Sequence, residues 1–401
     1  MTQFPRDIWR EQAEKALRGA EFEVLIRQTE DGIVRGPLSD ASDRPENISA
    51  LPRSAPPLLT GRPWHICAPV RDPDIKFANA QLLRDLKGGA SAARISIGDH
   101  ALTLGANDVP RLMEGVHTDL IPITIAPHDD ASVHDLFAPL SDVHIHLGLS
   151  PNVDGMADLA KSAPQGWTLV TVNAASVSEA GGTAAQELAY MAAGIAKTYH
   201  VLGAKLGAKH IGAEVTTDQD AHMNIAKMRA ARRIHARISE AFEAGDTALT
   251  LHAISQKRMM QSVDPWTNML RVMSAGFGAV TGGADYITLR PFTDAIGHAD
   301  EFGYRIARNM QLMMMEESRL GQVGDPAYGS YFHERMTDEL AQAAWTEFQR
   351  IEGEGGFENL SAFHQRVAGG KAKRAERGEP ILGVTLHPAE NVRAAKVRGA
   401  V

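Results

Sequence analysis

Cysteine is nearly absent from this sequence: Cys67 stands alone among 401 residues. One thiol closes no intrachain disulfide and builds no cysteine-based zinc site. Its setting in the apolar run WHICAPV reads as a buried small side chain rather than a reactive thiol. Long hydrophobic runs are missing too, and none approaches the ~20 residues a membrane helix needs. Basic surplus is missing as well. The net charge of −8 disfavours nonspecific nucleic-acid binding, which displaces counterions with basic surface. It leaves room for a local basic groove facing a phosphate. The opening residues MTQFPRDIWRE are amphipathic and, with Asp7 and Glu11, acidic enough to be no signal peptide. These absences lead us to expect a cytoplasmic protein with neither nucleic acid nor membrane as a partner.

Charged residues make up 22% of the chain and hydrophobic ones 44%, which suits a soluble globular protein with a large core. Short apolar runs recur at Trp64–Val70, Ala93–Gly98, Leu120–Ala126, Val143–Leu149, Thr168–Asn173, Lys209–Val215, Ala248–Ile254 and Asp285–Leu289. Helical patterns fill the gaps, which are mostly ~20–40 residues, so right-handed crossovers and a parallel sheet follow. Eight such units predict an α/β fold, a closed (β/α)8 TIM barrel. The runs are apolar at nearly every position, as expected of strands buried between helices and a filled interior. Before them, Asp7–Ala20 has helical spacing, and 31–60 carries five prolines and no period, predicting an extended arm. The last ~100 residues read as helical, starting with Asp300–Met315. The expected division is 1–60 as N-terminal helix and arm, 61–318 as barrel, and 319–401 as a C-terminal helical extension.

Chemistry on such a barrel sits at the C-terminal ends of the strands. In Asp142-Val-His144-Ile-His146, residues two apart share a face. His144 and His146 thus form a candidate metal pair of the kind used by metal-dependent hydrolases. His252, His100 and His128 are available as further ligands, yet no carboxylate is evidently placed to complete the set. Facing outward, the same histidines would only pack. LHAISQ, Leu251–Gln256, offers His252, Ser255 and Gln256 at a strand end. Lys257 and Arg258 follow, either to meet an acidic partner or phosphate or simply as a solvated loop. The loop Gly98–Leu102 carries His100. Ala174-Ala175-Ser176-Val177-Ser178-Glu179 precedes a helix that Glu179 would open, favourably with the helix dipole. Arg229 and Arg233 lie four apart on one helical face, near Lys227 and Arg232.

From Glu179 the chain reads EAGGTAAQELAYMAAG, then AKHIGAEV, then MNIAKMRAAR. This stretch resembles the central segment of the methylmalonyl-CoA mutase family, cobalamin-dependent enzymes that rearrange acyl-CoA carbon skeletons. WR…ALRGAEFE…DGI, PDIKFANAQLLRDLKGGASA and RIARNMQL…DPAYGSY…IEGEGG look like the small, non-catalytic subunit of the heterodimeric enzymes. The resemblance also marks departures. Where catalytic members carry Gly-Tyr-His, whose His bonds the thioester carbonyl, Ala174-Ala175-Ser176 stands here. In the strand-seven region, His252 keeps the family's His, Thr250 replaces its Arg, and Ala253 and Ile254 replace its Ser and Gln. The loop at 98–102 has neither the Tyr that helps trigger cobalt–carbon homolysis nor an Arg. SPNVDGM replaces a Gly-Thr-x-Gln-Asn-Asp run. The near-match to the cobalamin lower-ligand motif Asp-x-His-x-x-Gly is a coincidence, since Gly148 falls one place late.

By this resemblance the chain is a small-subunit-like, non-catalytic barrel without a cobalamin-binding domain. His252, Gln256 and Ser176 stand at vestigial catalytic positions, and His100, Ser255, Lys257 and Arg258 at substrate-contacting ones. Arg229 and Arg233 match family residues with a structural role. Adenosylcobalamin would come only through a partner chain. That partner would be a catalytic or cobalamin-binding mutase subunit, or a second copy, with acyl-CoA as the small-molecule ligand. Three alternatives remain. One is an active barrel using a separate cobalamin subunit and recruiting His252, Ser255 and Gln256. Another is a metal hydrolase built on His144 and His146. The last is a binding barrel for an acyl thioester. An open axis favours the active reading and a filled axis the silent one.

Overall fold

Eight parallel strands close on themselves in the computed structural model, which describes residues 6–46, 61–98, 101–105, 107–377, 380–388 and 390–399. In chain order they are β1 (His65–Val70), β2 (Ala92–Ile95), β3 (Ile123–Ile125), β4 (Ile145–Leu149), β5 (Trp167–Asn173), β6 (Ile211–Thr217), β7 (Thr250–Ser255) and β8 (Tyr286–Thr288). Each lies on one of the eight apolar runs. The ring shuts where Tyr286 of β8 pairs with His65 of β1. Ile66, Ala68 and Val70 of β1, Ala93 and Ile95 of β2, and Ile123 and Ile125 of β3 join the main apolar core. Cys67, Ala92 and Tyr286 form a separate cluster.

Most of the surrounding helices start where a side chain caps them. α1 (Arg6–Ala16) lies outside the barrel. It ends short of the expected Ala20 because Arg18 and Gly19 take positive φ, the usual stop after a helix. α2 (Ile75–Lys87) is capped by Asp74. α3 (Ala184–Leu202) begins in a capping box of Thr183 and Gln186. It lies so close to β5 that a Cβ on Gly194 would come 2.5 Å from a Val172 methyl. Glycine is what permits that approach. α4 (Ala221–Ala241), α5 (Asn268–Gly282) and α6 (Glu301–Leu312) complete the shell. α6 continues as a π-turn through the Met313–Glu317 run. α7 (Tyr331–Gly353) and α8 (Ser361–Arg377) follow.

α4 shows why so basic a helix can be buried. Lys227 reaches Glu187 of α3 at 2.7 Å. Arg229 bonds Glu334 of α7 at 2.7 Å, Asp325 at 3.2 Å and Thr337 at 2.9 Å. Arg232 bonds Asp285 and the carbonyls of Leu249 and Gly283. Arg233 bonds Glu334 and Asp338. The structural role read for Arg229 and Arg233 fits this arrangement: they fasten α7 to the barrel.

The described part of the arm lies over the starts of α3 and α4. It makes a small hairpin, Arg27–Gln28 against Val34–Arg35, with Arg35 paired to Asp220 and Asp31 accepting from the Ala185 N–H. Residues 47–60 of the predicted arm fall outside the described residues. The chain's end is less helical than expected. After α8 it returns to the barrel, where Val397–Gly399 pairs antiparallel with His298–Ala299. Among the described residues, no helix is long and apolar enough to cross a membrane.

Removing one partner of a buried ion pair strands the other, at a cost of about 3–5 kcal/mol. Arg229→Ala is therefore expected to lower stability by about that amount in urea unfolding. Arg237→Ala, which breaks an exposed pair with Glu240, should change stability by less than about 1 kcal/mol.

Candidate functional site

Side chains two apart along a strand share a face, and the inner faces here are polar, unlike the uniformly apolar strands expected. Arg94 reaches from β2 to Glu214 on β6. Its Nε and Nη2 each lie 2.8 Å from a carboxylate oxygen. In the ring order these strands stand opposite one another, so this two-pronged pair crosses the barrel axis. The Tyr286 ring stacks on His65 at 4.5 Å and on His252 at 4.6 Å. Its hydroxyl lies 3.1 Å from His146 Nε2, and His146 meets the edge of His252 at 5.1 Å. These six side chains are between 2% and 9% exposed. The axis is filled at this level.

Burial holds the imidazoles neutral. It lowers His65 to about 4, with Arg62 and His144 adding repulsion. It lowers His252 to about 3, with Arg94 and His65 adding. His146 falls well below the ordinary value, from burial first and then His252. Burial likewise raises the Tyr286 hydroxyl, and it pushes the Cys67 thiol up to about 12. Among the described residues, the ring atoms His65 Nδ1, His146 Nδ1 and His252 Nε2 have no hydrogen-bond partner.

His144 and His146 do not form one site. His146 is inside the barrel, while His144 is exposed just before β4 begins. His128 Nε2 is taken by the Leu147 carbonyl at 2.9 Å. Among the described residues, no group of three or more His, Cys, Asp or Glu side chains is placed to hold a metal ion. His100 lies outside the described residues. Gly148 has φ +76°, and a Cβ there would lie 2.5 Å from the Ile125 carbonyl oxygen. Its glycine serves the irregular pairing of β4 with β5.

At the C-terminal ends of the strands, the predicted residues are bonded to their neighbours. Ser255 Oγ accepts from the Arg290 N–H at 2.7 Å. Gln256 donates to Ser178 Oγ. Ser176 is exposed and donates to the Asn173 carbonyl at 2.7 Å. The Lys257 and Arg258 N–H groups donate to the Glu179 carboxylate at 2.8 and 3.3 Å, with the Lys257 side chain exposed. Glu179 therefore does not open a helix. It ends the short helix Ala175–Glu179 and pins the loop after β7. Arg290 also approaches Glu179 and Asp294, and Asp294 pairs with Arg71. Off the axis lies a cleft of about 1120 Å³. Gln256 and Arg258, the arm hairpin, the start of α5 and Pro380–Thr385 line it.

Sequence reasoning missed Arg94, Glu214, His65, Tyr286 and Arg290. A signal for two of them was present. Arg94 and Glu214 are lone charges inside otherwise apolar strand runs, and a buried charge demands a partner.

A sequence model of the family described as methylmalonyl-CoA mutase matches residues 147–380. The chain belongs to the methylmalonyl-CoA mutase family. It is 33% identical to the methylmalonyl-CoA mutase small subunit of Streptomyces virginiae, over 92% of this chain and 67% of that protein. It is 34% identical to the probable small subunit of Mycobacterium tuberculosis, over 77% of this chain and 56% of that protein. It is 30% identical to the small subunit of Propionibacterium freudenreichii subsp. shermanii, over 96% of this chain and 67% of that protein. The chain thus spans between 56% and 67% of these relatives' lengths.

The filled interior of this mutase-family barrel is expected to make it acid-sensitive. His65 and His252 bind protons more readily unfolded, near 6.5, than folded, at about 4 and about 3. Their contribution is complete above pH 6.5 and is lost as pH falls through the folded values. The wild-type melting temperature is expected to drop more steeply between about pH 7 and 5 than that of the non-titrating His65→Asn/His252→Asn variant, in paired thermal melts.

Proposed function

We propose that this chain is a non-catalytic, small-subunit-like component of a cobalamin-dependent acyl-CoA carbon-skeleton mutase. The observation that carries this reading is the Arg94–Glu214 pair lying across the barrel axis with the Tyr286 cluster packed beside it. Holding a thioester inside a barrel takes an entry path and free cationic or donor groups. Here the interior guanidinium is consumed by Glu214, and the imidazoles face one another and Tyr286. His252, Gln256 and Ser176 are then remnants of catalytic positions, and Ser255, Lys257 and Arg258 shape the loop after β7.

The strand ends do not fit a resident cobalamin. Ser255, Gln256, Arg290 and Asp294 are each bonded within the chain, which leaves them committed to their neighbours. We assign adenosylcobalamin to a partner, which the relatives' designation as small subunits supports. In this reading 61–318 form the barrel, flanked by the 1–60 arm and the 319–401 extension. The complex works in the cytoplasm, where this chain contributes interface and stability to the catalytic subunit.

The test is electron spin resonance during turnover of the assembled mutase with its acyl-CoA substrate. The cobalt-coupled radical signal and kcat should be unchanged when this chain carries His252→Asn or Gln256→Glu, and this chain alone should give no signal. A loss of kcat by about 100-fold or more, the scale of a lost catalytic proton donor, would make it a working isomerase.

A further inference from the structure

Far from the axis, two imidazoles meet where α4 and α7 begin. His222 Nδ1 lies 3.0 Å from His333 Nε2. His222 is exposed and His333 half-buried. Both rings are braced. The other nitrogen of His333, Nδ1, is 2.9 Å from the hydroxyl of Ser330, which caps α7. The Phe332 ring meets His222 edge-on at 5.4 Å. Beside them, Arg229 of α4 bonds Glu334 of α7, so the two helices cannot drift apart.

Two imidazole nitrogens at this separation also suit a shared ion. Ligands about 2.0–2.1 Å from a metal sit about 2.9 Å apart at a right angle and about 3.3 Å apart at the tetrahedral angle. The observed gap falls between these. The far nitrogen of His333 is held by the Ser330 hydroxyl, and an oxygen on the other ring nitrogen is what fixes the orientation of a metal-binding histidine.

We propose that His222 and His333 form a surface site for one late first-row divalent ion (Cu²⁺, Ni²⁺ or Zn²⁺), its remaining positions open to water. Only two side chains serve the ion, so binding is exchangeable and follows the general affinity order, Cu²⁺ above Ni²⁺ and Zn²⁺. The bound ion clips α4 to α7, the same junction that Arg229 and Arg233 fasten. The site is independent of the mutase reading.

Calorimetric titration of the untagged, EDTA-stripped full chain with Cu²⁺, then Zn²⁺, tests it. One equivalent should bind, Cu²⁺ more tightly than Zn²⁺. His222→Ala, an exposed change that leaves the core intact, should weaken the first equivalent by about tenfold or more. Saturating Cu²⁺ should raise the melting temperature of the wild type and not of His222→Ala. An unchanged first equivalent in His222→Ala, or no binding by the wild type, overturns the proposal.

Discussion

The Arg94–Glu214 pair is the constraint around which the barrel is organised. Two charges buried on opposite strands attract strongly only because water is excluded, and both lose their hydration to get there. Such a pair gains little in net stability over well-packed apolar residues. What it does fix is separation and register. β2 and β6 must face each other at the span of one arginine and one glutamate, and Tyr286, His65, His252 and His146 pack in the space left beside them. Histidine here is a flat, neutral ring with an edge that can bond, rather than a proton carrier.

Filling the axis also answers a packing requirement. Protein interiors are close-packed, and voids are penalised at about 24 cal/mol per Å³. A dry bore of about 200 Å³ would therefore cost about 5 kcal/mol. A barrel that threads a ligand can accept a water-filled bore. One that threads none gains by closing it. In the proposed non-catalytic role, large polar and aromatic side chains on the inner face are what such a closure leaves behind, and Thr250, which stands where the resemblance implies an arginine, fits the same logic.

The barrel was legible because its outward faces obey a short-range rule. Each strand run is apolar, strand and helix alternate, and eight repeats close a ring. The interior followed another rule. Arg94 and Glu214 are far apart in sequence, and which inward residues meet depends on the stagger of the strands, which no single run reveals. His144 and His146 show the limit well. Their shared face was readable, yet one lies at the solvent-exposed entry of β4 and the other in the core. Glu179 was misplaced for a related reason. Gly181, at positive φ, and Gly182 part the short helix ending at Glu179 from the next one, and Thr183 supplies the cap that Glu179 was expected to favour.

Two separate demands thus act on the charged residues of one chain. Those of α4 lie within the shell, and their carboxylate partners on α3 and α7 and at Asp285 make the barrel, the shell and the C-terminal helices one body. Those of β2 and β6, with the Tyr286 ring of β8 beside them, look inward and fill the axis. The first set depends on the fold alone and would serve a catalytic barrel equally well. For the second, threading a thioester would require Arg94 to leave Glu214, and that exchange would abandon a buried carboxylate to which, among the described residues, no other cation is bonded. The geometry of the axis, rather than the count of missing catalytic residues, is therefore the stronger argument for a silent member of the family.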